Sequence, residues 1–356
     1  MPSAASRGHR RYAVAVPRTR PRTGPCAAIL VIAALTAACS GGGAGSPADS
    51  AAASSSAAPS GASASADCQT APAPSDMSAW GPPATSPKLI PYLVTNYVAC
   101  GKARILFLYL DAGNNVRSAP DRTAKVAFYD LGRDPKKAVA TVDGAFDWTI
   151  QDERGMYILD VDLPEAGTWG AEFTTEAPGS PAETVRLTFD VHDSSPTVAV
   201  GEKAPASVTP TLADVGGNPK RISTDTHPDA AFYETSVADA LAEHKPFVLV
   251  FATPKFCTSA QCGPTLDRLK PVAAAHPEIT FINVEPYQLQ DVDGQLQPVL
   301  DANGGLQATD ATNQWGLLTE PWIFAVDRDG IVRGSYEVAV SDAELDAVLA
   351  ELTAGG

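Results

Sequence analysis

The segment Phe247-Val248-Leu249-Val250-Phe251-Ala252-Thr253-Pro254-Lys255-Phe256-Cys257-Thr258-Ser259-Ala260-Gln261-Cys262-Gly263-Pro264-Thr265 joins an unbroken apolar run to a turn that holds two cysteines. Phe247 to Phe251 is short and rich in β-branched and aromatic residues, which predicts a strand covered on both faces. Pro254 ends it. Pro264 fits the first position of a helix, and Leu266, Leu269, Val272 and Ala273 recur at the spacing of one helical face. A thiol at the start of such a helix is favoured as the thiolate, the nucleophile of disulfide exchange, by the free amides and dipole there.

The strand, the cysteine turn and the helix, followed by Ile279 to Val284 as the next strand and by Thr319-Glu320-Pro321-Trp322-Ile323-Phe324, resemble the thioredoxin fold over Val200 to Leu352. Cys262-Gly263-Pro264-Thr265 is similar to that family's Cys-Gly-Pro-Cys turn, with Thr265 in place of the second cysteine. Pro321 stands where the family carries a cis-proline that helps bind the partner polypeptide. Trp315-Gly316 with Pro321 to Gly330 resembles secreted, membrane-anchored thioredoxins that mature cytochromes, and Val200 to Pro205 resembles the entry they share with peroxiredoxins. The resemblance implies a thiol-disulfide oxidoreductase. It implies Cys257, Cys262 and Pro321 as catalytic residues, exported proteins with thiols or disulfides and a separate redox partner as partners, and no cofactor or metal.

The chain departs from that pattern in several places. Four residues separate the cysteines, so on a regular helix they would lie about 140° apart, and they pair only if the first lies in a loop. Val250 occupies the place of a buried proton-handling aspartate, for which Glu285 is the substitute considered. Thr253 lies four residues before Cys257, one more than in peroxiredoxins. Copper-delivery relatives pair two cysteines with a distant histidine, and only His227 and His276 are near. The strand-to-cysteine distance and the preceding Phe256 favour Cys257 as nucleophile with Cys262 resolving, while Cys262-Gly263-Pro264 keeps the reverse assignment open. The alternative from another class is a binding or scaffold lipoprotein in which Cys257 and Cys262 form a permanent staple.

At 356 residues the chain has room for two or three domains. Arg7, Arg10, Arg11, Arg18, Arg20 and Arg22 precede a short apolar stretch, Cys26 to Ala38, which is the form of a secretory signal over 1–38. Leu35-Thr36-Ala37-Ala38-Cys39 resembles a bacterial lipoprotein cleavage box with its leucine one place further upstream than usual. Cys39 is then the lipidated N-terminus, and the Ser, Ala, Gly and Pro of 39–67 form an unstructured tether. The other reading is an ordinary cleaved signal ending near Ala38. The formal charge of −15 loses six arginines with the signal and becomes −21, which argues against nucleic acid as a partner. The expected location is extracytoplasmic, on the membrane through the lipid.

Between 68 and 195, the short β-rich runs Arg104 to Leu110, Lys125 to Tyr129, Phe146 to Ile150, Met156 to Val161, Thr168 to Thr174 and Thr184 to Val191 alternate with turns. No helical pattern intervenes, so the region predicts an antiparallel β-sandwich of immunoglobulin type with Trp148, Tyr157 and Trp169 in its core. Its role is spacing or partner binding. With Cys26 removed and Cys39 lipidated, four cysteines remain, and pairing within domains gives Cys68 with Cys100 as a structural disulfide and Cys257 with Cys262. The expected fold is therefore multidomain, a β-sandwich followed over 196–356 by an α/β thioredoxin-like fold. In the second domain Ser236 to Asp239 and Ser341 to Glu344 read as capping boxes for helices running to His244 and Leu352. Asp327 to Gly330 reads as a hairpin turn, and Pro286 to Asn313 as an aperiodic insertion. If Cys39 carries the lipid, Cys39→Ala moves the protein out of the membrane fraction, and fractionation that leaves it there refutes the anchor.

Overall fold

The computed structural model describes residues 68–83 and 85–354. The expected signal at 1–38 and the lipidated Cys39 with its tether lie outside the described residues. The chain is mostly β-strand with few helices, arranged in several sheets.

The N-terminal region holds eight main strands: β1 (Leu89–Leu93), β2 (Gly101–Asp111), β3 (Thr123–Asp130), β4 (Ala140–Asp143), β5 (Ala145–Ile150), β6 (Arg154–Leu163), β7 (Glu165–Ala177) and β8 (Ser180–His192). One antiparallel sheet runs β1-β2-β6-β5. The other runs β8-β7-β3-β4, with two-residue strands Val98–Ala99 and Gln69–Thr70 added in parallel to β8 and β7. The two sheets close on one core. Ile105, Phe107, Tyr109, Tyr157 and Leu159 from the first meet Val126, Phe128, Trp169 and Phe173 from the second. All six sequence-predicted runs lie in strands, and β1 and β4 are additional. Trp148 is a correction: it lies outside this core, half-buried with its ring edge-on to Phe146, on the edge strand β5 where the ladder to β6 is irregular between Trp148 and Ile150. Cys68 and Cys100 are joined in a disulfide.

The C-terminal region is built on β9 (Phe247–Phe251), flanked by parallel β10 (Thr280–Val284) and antiparallel β13 (Trp322–Val326), with β14 (Val332–Glu337) beyond β13. Alternation along β9 sends Val248 and Val250 into a core with Leu266 and Leu269 of α2 (Cys262–Ala275) and Leu345, Leu349 and Leu352 of α4 (Asp342–Ala354). Phe247, Leu249 and Phe251 point the other way, against α1 (Val237–Ala242), α3 (Asp310–Gln314) and Trp315. Helices thus cover both faces, as the unbroken apolar run requires. Ser236 and Ser341 each accept the N–H three residues on, and the reciprocal bond of a full capping box, from the cap N–H to the side chain at N3, forms at Ser341–Glu344, while Asp239 accepts the Ser236 hydroxyl instead. The stretch 286–313 is not featureless, because it contains the hairpin of β11 (Leu289–Val292) and β12 (Gln295–Pro298). Its two-residue turn has positive φ at both Asp293 and Gly294, 54° and 78°, the geometry Asp-Gly favours.

The two regions are packed together within one unit. β2 and β6 carry apolar side chains on both faces, and the face turned away from the sandwich core, with Leu106, Leu108, Met156 and Ile158, covers Val338 and Ala339. Three arginines cross the seam. Arg104 holds Glu344 through two N–H groups at 2.6 and 3.0 Å and the Ala339 carbonyl at 2.8 Å. Arg268 reaches Asp147 at 3.2 Å and the Trp148 carbonyl at 2.6 Å, and Arg154 reaches the turn described next.

Candidate functional site

From β9 the chain passes through buried Ala252 and Thr253, and the Phe256 N–H closes a turn on the Thr253 carbonyl at 3.1 Å. That turn brings Cys257 forward in a loop. Ala260 adopts a left-handed φ of 59°, which bends the four intervening residues back so that α2 starts at Cys262. Cys257 and Cys262 are disulfide-bonded with their Cα atoms 6.1 Å apart. The wide spacing is accommodated because the first cysteine is not helical. Pro264 lies two residues later in the helix than expected: it is the third residue of α2, still within the turn whose N–H groups have no helical partner.

The two sulfurs have different surroundings. Cys262 is 0% exposed and packs in the core with Val250, Leu266 and Leu269. Cys257 is half-buried. Its Sγ accepts the Cys262 N–H at 3.3 Å and lies 3.3 Å from Ser259 Oγ. A backbone donor at a helix start favours negative charge on that sulfur.

The wall opposite is Glu320-Pro321, whose peptide bond is cis. Both residues are buried. Pro321 gives its carbonyl to the Val338 N–H at 2.8 Å, and the Glu320 carbonyl accepts Ser259 Oγ at 3.1 Å. Glu320 Oε1 accepts the Thr258 N–H at 3.1 Å and the Thr258 hydroxyl at 3.2 Å, while Oε2 accepts the Tyr287 hydroxyl. Burial, and then the bond to Glu320, push the Tyr287 hydroxyl well above the ordinary phenol range. A carboxylate oxygen of Glu320 and both sulfurs lie within 4.8 Å of one another. The sequence reading missed Glu320 and Tyr287. The one signal for Glu320 was its place directly before Pro321.

The acid considered earlier, Glu285, is not part of that cluster. Its Oε1 accepts Thr224 Oγ1 at 2.7 Å and its Oε2 has no hydrogen-bond partner. His276 caps the far end of α2 beside Glu278, His227 is hydrogen-bonded to Thr226, and neither belongs to the cluster of Cys257, Cys262 and Glu320. The N-terminal region does approach them: Arg154 Nη1 of β6 donates to the Ser259 carbonyl at 2.8 Å, between the two cysteines. Expected only to space or bind, that region also fixes the turn.

No known family and no curated protein matches the sequence. Among solved structures, a crystal structure of a DUF4426 family protein from Pseudomonas aeruginosa PAO1 is similar over 26% of this chain and 76% of that chain, at 13% identity and a TM-score of 0.20. A likeness that slight carries no argument about fold or function.

Glu285 generates a test of its buried environment. Burial raises its pKa above the ordinary carboxylate value, so between the unfolded and folded values the unfolded chain sheds a proton that the folded chain keeps. Stability contributed by the protonated form is present below about pH 4.3, the ordinary glutamate value, and is lost as pH rises through the folded pKa. Glu285→Gln removes that loss. The urea midpoint of the variant, relative to wild type, therefore rises from acid toward neutral pH, and a difference that is flat with pH contradicts the assignment.

Proposed function

We propose that this protein is an extracytoplasmic, lipid-anchored thiol-disulfide oxidoreductase whose C-terminal region is thioredoxin-like and whose N-terminal sandwich is immunoglobulin-like. The observation that carries the reading is the asymmetry of the cysteine pair. One sulfur is half-exposed in a loop and takes an amide N–H, the other is sealed into the core at the start of a helix, and Glu320-Pro321 lies across from them. Such a pair suits a division of labour. The thiolate of Cys257 attacks a partner disulfide and expels one partner thiolate, which takes up a proton. Cys262 then loses its proton, attacks Cys257 Sγ and expels the second, leaving the partner as a dithiol and the Cys257–Cys262 bond re-formed. In the opposite direction the same steps oxidise a partner. The sheet order around β9, the helices on both faces and the position of Pro321 support the thioredoxin-like assignment. The signal-like arginines, the box ending at Cys39 and the disulfide at Cys68–Cys100 support export.

A specific observation favours a second reading, a scaffold in which the bond is a permanent staple. Pro321 is buried with its carbonyl taken by Val338, and the Glu320 carbonyl is taken by Ser259, so the backbone that would receive a partner strand is engaged within the chain.

Variants at the two cysteines separate these readings. Cys262→Ser is expected to attack exported disulfide-bonded proteins and hold them as mixed disulfides on Cys257, visible on non-reducing gels, while Cys257→Ser holds none because buried Cys262 is out of reach. Absence of complexes with both variants would hand the protein to the scaffold reading, and trapping by Cys257→Ser alone would reverse the roles.

A further inference from the structure

We propose that opening the Cys257–Cys262 bond creates a binding site for a divalent cation of borderline softness, the Zn²⁺ class, formed by the two thiolates and the Glu320 carboxylate. The oxidised turn is then a redox pair and the reduced turn a metal site. The proposal rests on the preceding reading only in needing a bond that can be opened. A dithiol reductant supplies two electrons and two protons and becomes a disulfide itself, and M²⁺ then displaces the two thiol protons.

The geometry is close to what the cation requires. Thiolates bound at about 2.3 Å to a tetrahedral centre sit about 3.8 Å apart, and a carboxylate oxygen binds at about 2.0 to 2.2 Å. The Cα atoms, 6.1 Å apart, allow the sulfurs to part to that distance, and a Glu320 oxygen already lies within 4.8 Å of both. The carboxylate is also oriented in advance. Four lone-pair sites are available to it. Thr258 uses two and Tyr287 one, which leaves one for a metal. Ligating carboxylates are commonly steadied by such partners.

Charge points the same way. Reduction places two ionisable thiols against a buried carboxylate, and among the described residues no lysine, arginine or histidine bonds to that carboxylate. Three negative groups in a water-poor site repel one another, and a bound M²⁺ reduces the net charge from −3 to −1. Two soft sulfurs with one hard oxygen disfavour Mg²⁺ and Ca²⁺, which take oxygen alone. Three protein ligands leave a fourth position, on the half-exposed Cys257 side, for water.

Co²⁺ reports such a site directly. The full chain, reduced without oxygen and assayed for free thiols, is expected to bind one Co²⁺ with a thiolate-to-cobalt charge-transfer band and the strong visible bands of a four-coordinate centre, and to give them up to Zn²⁺. Oxidised protein and the Cys257→Ser variant should show neither band. Glu320→Gln should bind at least tenfold more weakly while keeping its native circular dichroism. Reduced protein with free thiols but no cobalt–thiolate band overturns the metal site and leaves the exchange reading standing. Bands that persist in Cys257→Ser, or affinity unchanged in Glu320→Gln, overturn the ligand set. A pair that stays oxidised in strong reductant ends both proposals together.

Discussion

Strand β9 has no face left for solvent. All five of its side chains are 0% exposed, alternating between the α2–α4 side and the α1–α3 side. Each is worth roughly 1.5 to 3 kcal/mol of burial against its exposed state, before conformational entropy is set against it. A shift of one residue would exchange the two faces, so the register with β10 and β13 is strongly specified. The end of β9 is therefore fixed in space, and so is the turn that leaves it. Cys257 emerges in the loop, Cys262 is drawn inward with α2, and Glu320, one residue before buried Pro321 and two before β13, is brought to face both.

The same two-sided burial recurs in β2 and β6, and it joins the two regions. Ile105, Phe107 and Tyr109 face the sandwich core, and Leu106 and Leu108 face Val338 and Ala339. The guanidiniums of Arg104, Arg154 and Arg268 then fix orientation across the apolar seam, as planar donors with several N–H groups can do where a single ammonium cannot. Burial pushes Asp147 above the usual carboxylate range, and the facing Arg268 offsets part of that. Because Arg154 ends on the Ser259 carbonyl, the cysteine turn is held from the sandwich side as well as by Glu320.

Local signals in the sequence were legible where local physics decides. The Phe247 to Phe251 run, the capping serines Ser236 and Ser341, and the Asp327 to Gly330 turn each depend on neighbours within a few residues. Asp293-Gly294 carried an equally local hairpin signal, but the Gln and Asp residues around it hid the alternation. Ile105 to Leu110 has the same unbroken apolar character as β9, yet its second face is covered by Val338 and Ala339, more than two hundred residues away in the chain. Glu320 was illegible for the same reason. Its partners Thr258 and Tyr287 come from separate segments, and nothing near it in sequence marks it as buried beside two sulfurs. Trp148 was assigned to a core because large aromatics usually fill one, while the fold uses its backbone at the seam instead.

The central claim is that the Cys257–Cys262 bond works and is not merely structural. Its reduction potential measures this most directly, taken in the full chain by equilibration with dithiol buffers and followed by alkylation of Cys257. A working pair is expected well above about −300 mV, in the range where thiol oxidoreductases exchange with partners. A potential below about −300 mV, where structural bonds lie, would contradict it.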